Sequence, residues 1–210
     1  MKRNYKTPAM PITFSLPIIA IQVQAYDCDA ENNQFRNDKK AWIAASTNSP
    51  LSSSDMDHFD DLHYYPINNK LVMPGTLNPA TSENAIDIAT NKGGIIRLFD
   101  AGTVNVNIGS EQYQLQAYKN IDMPEFDNMQ ESIFIPIKDG TSGPAPKTTF
   151  DHGRYLLIRP PASGNQIMLD FNMIINPFEN YNSNFSTLLV PASNTILAPI
   201  MSGERKYEDR

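Results

Sequence analysis

Along most of this chain, apolar and polar residues change places with a period of two. The clearest stretch runs from Thr103 to Tyr118: Val104, Val106 and Ile108 alternate with Thr103, Asn105 and Asn107, Gly109-Ser110 turn the chain, and Tyr113, Leu115 and Ala117 alternate with Gln112, Gln114 and Gln116. Two alternating runs around a glycine-containing turn predict a hairpin with one wet face. Shorter runs of the same kind predict strands at 70–73, 85–89, 95–99, 132–137, 154–159, 166–171 and 195–201, with an aromatic strand start at His63–Ile67. Turn clusters at Gly140–Gly143, Pro160–Gly164 and Asn180–Asn184 separate the later ones. The helical period is confined to the N-terminal part. Residues 31–45 place Phe35, Trp42 and Ala45 roughly on one side, and Asn48-Ser49-Pro50 end that segment. A short helix is expected to start at Ser54, with Asp57 three residues on in capping-box fashion and Met56, Phe59 and Leu62 behind it. The predicted fold class is all-β, an antiparallel barrel or sandwich of about 9–10 short strands preceded by one or two helices.

Residues 1–25 follow a different rule. Lys2, Arg3 and Lys6 make a basic start, Ile12–Ile21 is apolar, and Val23-Gln24-Ala25 resembles a small-residue cleavage site. That order of charge, grease and small residues is the pattern of an export signal, and the apolar run is too short for a membrane span. A buried N-terminal strand is the alternative. The reading divides the chain into a signal at 1–25, a helical lead-in at 26–62 and a β domain at 63–210, and expects a periplasmic or extracellular protein without a transmembrane span.

Charge narrows the partners. With 17 basic and 23 acidic residues the net charge is -6, so phosphate backbones are repelled and a nucleic-acid partner is not expected. Cys28 is the only cysteine, which precludes an intrachain disulfide; it reads as a bystander thiol near a flexible mature N-terminus.

The second half carries an ordered string of motifs: Pro136-Ile137-Lys138-Asp139-Gly140-Thr141-Ser142-Gly143, Gly153-Arg154-Tyr155-Leu156, Leu169-Asp170-Phe171-Asn172, Asn176-Pro177 and Gly203-Glu204-Arg205-Lys206-Tyr207. Upstream stand Ser49-Pro50-Leu51, Phe59, Leu62 and Tyr64-Tyr65-Pro66-Ile67. In this order and spacing, over residues 31 to 207, the chain resembles domain-of-unknown-function family 1684, a bacterial and archaeal family. The resemblance implies no reaction and no cofactor. It departs from the family pattern where two cysteines would fall, at Glu179 and Thr187, so no role needing that pair can operate here.

The polar residues kept by the resemblance supply the candidate ligand-binding set: Asp139, Thr141, Ser142, Arg154, Tyr155, Asp170, Asn172 and Asn176. Asp170 and Asn172, two apart, would share one face of a strand, and Arg154 at the start of a neighbouring strand could fork the Asp170 carboxylate while keeping donors for a ligand. The opposing reading makes the same residues a buried structural network. The Asp139–Gly143 turn resembles an anion cradle, with a plain hairpin turn as the commoner explanation. Ser142, His152 and Asp170 have the residue types of a hydrolytic triad but lack a nucleophile elbow. Asp57, His58, Asp60, Asp61 and His63 crowd together, yet the five-residue histidine spacing suits a solvated acidic turn better than a metal site. Gly203–Lys206 reads as a charged strand end. The leading expectation is an exported, non-catalytic module binding a small polar ligand or an envelope protein. A hydrolase using Asp139, Asp170 or Glu204 with Arg154, and a structural protein with no ligand, are the alternatives.

Overall fold

The computed structural model describes residues 26–82, 84–119, 133–161 and 163–207. The expected export signal lies outside the described residues. Helix α1 spans Cys28–Ala45 and α2 Ser53–Met56; the strands are β1 (Val72–Asn78), β2 (Ala85–Ala89), β3 (Ile95–Ile108), β4 (Glu111–Lys119), β5 (Ile133–Ile137), β6 (Arg154–Ile158), β7 (Gln166–Asp170) and β8 (Ile174–Ile175). They form one curled antiparallel sheet in the order β7-β1-β3-β4-β5-β6-β8, with β2 paired to the first half of β3. The fold class is all-β, and its closest description is a half-barrel.

The hairpin turns at Gly109-Ser110 as the alternation predicts, with Ile108 opposite Glu111. Strand β3 is longer than expected because it bends without stopping. Its register shifts between Asp100 and Gly102, and a Cβ at Gly102 would stand 2.0 Å from the carbonyl oxygen of Asn78. Only glycine fits that bulge, at a φ of +98°. The strand expected at 70–73 begins and ends later, since Pro74 and Gly75 do not stop it. Gly75 sits inside β1 with Leu169 packed where a side chain would be.

Two apolar layers cover the sheet. Leu115, Ala117, Ile135, Ile137, Leu156 and Leu169 lie in the core on one face. Leu98, Tyr118, Phe134, Tyr155 and Ile175 face the other way, and Phe35 of α1 packs on them. Strand β5 is therefore buried at every residue, which is why it reads as a continuous apolar run rather than an alternating one.

Helix α1 starts three residues before the predicted boundary. Asp27 caps it, accepting the amide of Ala30, and the acidic Asp29 and Glu31 suit the positive end of the helix dipole. The capping box of α2 uses Ser52 and Asp55 instead of Ser54 and Asp57. Both pairs have the same spacing; burial of Leu51 just before Ser52 selects the earlier frame. Two expected strands do not form. Tyr64 makes only an isolated bridge to Glu204, and Thr195 one to Lys138. The 195–201 segment runs beside residues 138–140 through Ile196 N–H to Lys138 O and Gly140 N–H to Ala198 O, without the ladder that a strand needs.

Candidate functional site

The candidate residues fall on two faces of the sheet. Period two places Arg154 with Leu156 on the core face, and places Asp170 opposite to Leu169, towards α1. The expected Arg154–Asp170 pair is therefore not formed, and this corrects the sequence reading.

Arg154 is fully buried and pairs instead with Asp139, Nη2 to Oδ2 at 2.8 Å. Its Nη1 donates to the carbonyls of Ser202 (2.6 Å) and Glu204 (2.9 Å), and Nη2 also to that of Ile200 (3.1 Å). Asp139 Oδ1 accepts from the amide and hydroxyl of Thr141 and from the amide of Ile200. Together they clamp the chain's C-terminal segment to the end of β6. The turn amides of Gly140, Thr141, Ser142 and Gly143 all have partners within the chain, so no anion cradle is open there. Ser142 Oγ lies 3.2 Å from Thr149 Oγ1.

On the other face, Asp170 closes β7 and receives a converging set of donors. Oδ2 accepts from Tyr26 Oη (2.5 Å) and Asn32 Nδ2 (2.6 Å), and Oδ1 from the backbone and side-chain nitrogens of Asn172, both at 2.8 Å. Asn172 is not on the strand but in a turn of 3-10 helix, Phe171–Met173. Its Oδ1 accepts from the amide of Asn68 and from Ser202 Oγ (2.7 Å). Ser202 thus joins the two clusters, since its carbonyl belongs to Arg154. Asn176 donates its amide to Glu204 Oε2 (3.0 Å) and Nδ2 to the carbonyl of Arg205 (2.7 Å). Tyr155 lies under α1 with its ring edge-on to Phe134.

Glu204 is the largest departure from expectation. Read as a charged strand end, it is 1% exposed and paired to Lys39 of α1 at 2.6 Å, with Tyr181 Oη donating to its other oxygen. Cys28 is not a bystander either: its Sγ stands 3.8 Å from Asp170 Oδ2. One stripe of α1, formed by Cys28, Asn32, Arg36 and Lys39 at spacings of three and four, thus faces Asp170, Tyr64 and Glu204 across a polar seam. At its Tyr26 end a cleft of about 640 Å³ opens, lined by Tyr26, Asp27, Cys28, Asp29, Asn69 and Val72.

Burial and the neighbouring Asp170 carboxylate push the Cys28 thiol up to about 11. At pH 8 that leaves roughly 0.1% thiolate against about a quarter for an ordinary cysteine. The higher intrinsic nucleophilicity of a basic thiolate recovers part of the difference, so labelling by a disulfide reagent is expected to be about 20-fold slower in the native protein than in urea. Equal rates would place Cys28 outside the seam.

The remaining candidates do not assemble. His152 contacts Glu179 (3.1 Å), not Ser142 or Asp170, so the triad is not built. Among the described residues no three His, Cys, Asp or Glu side chains converge on a metal position. Asn91 links Glu179 and Thr187: its Nδ2 donates to Glu179 Oε1 at 2.7 Å and its Oδ1 accepts the Thr187 amide at 3.0 Å. Burial alone would raise the Glu179 carboxyl, but hydrogen bonds from its neighbours, Asn91 and His152 among them, outweigh it and hold it below the usual range. A depressed carboxyl stabilises the fold above its unfolded pKa, so this contribution is present above about pH 4.5 and lost as the pH falls below it. Glu179→Gln is expected to flatten the acid limb of a stability–pH profile; an unchanged limb would contradict this.

The family model described as a protein of unknown function, DUF1684, matches residues 57–205. The chain belongs to this family. The DUF1684 match begins at the end of α2 and stops at Arg205, so it takes in the Asp139–Arg154 clamp, Asp170 and Glu204 but not α1. An uncharacterised protein from gene locus rrnAC0354 of Haloarcula marismortui, solved in solution by NMR, is similar at 25% identity and a TM-score of 0.66, over 85% of this chain and 94% of its own. No curated protein matches this DUF1684 chain. Among the described residues no helix is long and apolar enough to cross a membrane.

Sequence reasoning missed Tyr26, Asn32, Arg36, Lys39 and Tyr181. The signal lay in α1, where polar residues recur at helical spacing, but a search for apolar stripes passes over them.

Proposed function

We propose that the protein is a non-catalytic module, working outside the cytoplasm, that binds a small polar ligand in the seam between α1 and the sheet. The observation that carries this reading is a set of buried polar atoms in the seam without a hydrogen-bond partner among the described residues: Asn32 Oδ1, Arg36 Nε and Nη2, and Tyr64 Oη. Native interiors leave few such atoms, and a bound molecule would supply the missing partners. The carboxylates argue against catalysis. Asp139, Asp170 and Glu204 are each held by three or more donors, so none of these three is a lone acid or base poised to move a proton.

The test is an amide-resonance screen of the protein against four ligand classes: glycerol, ethylamine, acetate and inorganic phosphate. Saturable shifts confined to the seam, from any one class, are the expected result. Absence of saturable shifts with all four would sink the reading. Export rests on the pattern of residues 1–25 and is checked by N-terminal sequencing of secreted material, with Tyr26 expected first and Met1 contradicting it.

A further inference from the structure

We infer that the ligand of this seam carries a carboxylate, gripped by Arg36; the inference rests on the binding-module reading. The two Arg36 nitrogens without an acceptor, Nε and Nη2, form one edge of the guanidinium. That edge presents two parallel N–H donors, the spacing that matches both oxygens of a planar carboxylate. The same chain shows the fit elsewhere: Arg97 holds Asp87 through Nε (2.7 Å) and Nη2 (3.1 Å).

The two carboxylates that could have served Arg36 are already engaged. Asp170 is bound by Tyr26, Asn32 and Asn172, and Glu204 by Lys39, Tyr181 and the amide of Asn176. Both lie close enough to act on Arg36 electrostatically, yet neither is its hydrogen-bond partner. Tyr64 holds the guanidinium from one side, with its ring centroid 4.4 Å from Cζ. Its own hydroxyl is a further donor without a partner, and Asn32 Oδ1, one helical turn from Arg36, is an acceptor without one. A small acid with a hydroxyl or amino group would use all three side chains.

Arg154 gives the contrast: both of its Nη atoms have acceptors within the chain and only Nε has none, whereas the whole Nε–Nη2 edge of Arg36 is without one. Arg36 is buried at the edge that binds and left unmatched, an arrangement that costs stability in the free protein and is relieved when an anion arrives.

The experiment titrates sodium acetate, acetamide and inorganic phosphate, up to about 100 mM at constant ionic strength, into protein labelled to show the Arg36 Nε–Hε resonance. Acetate is expected to move that resonance saturably and uncharged acetamide to leave it in place; phosphate, which a guanidinium edge can also grip, is the competing outcome. Arg36→Lys, which keeps the charge but not the fork, is expected to weaken acetate by about tenfold or more. Arg36→Met is expected to abolish the response while the thermal midpoint stays level or rises by a few degrees, about 3 °C. A fall in the midpoint of Arg36→Met, or its failure to fold, would make Arg36 a structural residue and overturn the proposal. So would equal binding of phosphate and acetate. If glycerol or ethylamine binds the seam and acetate does not, the carboxylate assignment falls and the binding module stands; if nothing binds, both fall.

Discussion

Replacing Arg154 with methionine is expected to destabilise the protein by about 3–5 kcal/mol, a fall in thermal midpoint on the order of 10 °C. The cause is what the substitution leaves behind. Asp139 and Arg154 are both fully buried at their side chains, so the carboxylate would lose its counter-charge without gaining water. The carbonyls of Ile200, Ser202 and Glu204 would lose their donor at the same time. Arg154→Lys is expected to recover only part of the loss, because an ammonium cannot reach Asp139 and three carbonyls from one plane. Thermal or urea unfolding checks both variants. A midpoint within a degree or two of wild type for Arg154→Met would mean that the clamp does not form.

The second large effect is expected at Asp170. Asp170→Ala removes the acceptor shared by Tyr26, Asn32 and Asn172, of which Asn32 and Asn172 are completely buried. Leaving buried donors unmatched costs about 1–3 kcal/mol each, so a total of roughly 3 kcal/mol is expected after relaxation. The loss should also be local. Hydrogen exchange of the first turns of α1 is expected to speed up by about tenfold or more, while β3 and β4 keep the protection of the global fold. Asp170→Asn retains one acceptor oxygen and should fall between the two. Uniform loss of protection across the sheet would show that Asp170 does not serve to dock the helix.

These expectations follow from a sheet whose two faces were only partly legible in the sequence. Alternation located β2 at residues 85–89 and the Gly109-Ser110 turn, because those strands keep one wet face and their side chains record it. The central strands β5 and β6 are covered on both faces, so alternation is silent there about which face a residue takes. Asp139, Arg154 and Asp170 were recognised as polar residues worth placing, but their pairing was misjudged. The parity that separates them was available: Arg154 runs with Leu156, and Asp170 runs against Leu169. It became meaningful only once those leucines were known to share one core. Segment 195–201 looked like a strand because Ile196 and Ile200 are apolar and buried, whereas they are anchored by a loop that Arg154 and Asp139 hold. The lead-in helix was found from Phe35 and Trp42, yet what fixes it to the sheet is polar. Asn32 and Lys39 reach across sequence separations of 138 and 165 residues, and no local pattern announces such partners.

Whether Arg154 answers to Asp139 or to Asp170 decides between this arrangement and any site built on a joined pair. Two double-mutant cycles, Arg154→Met with Asp139→Asn and Arg154→Met with Asp170→Asn, measure it directly by urea unfolding. The geometry predicts a coupling energy of about 2 kcal/mol for the first pair and less than about 0.5 kcal/mol for the second. A larger coupling between Arg154 and Asp170 would contradict the two-faced placement, and with it the assignment of the seam to α1.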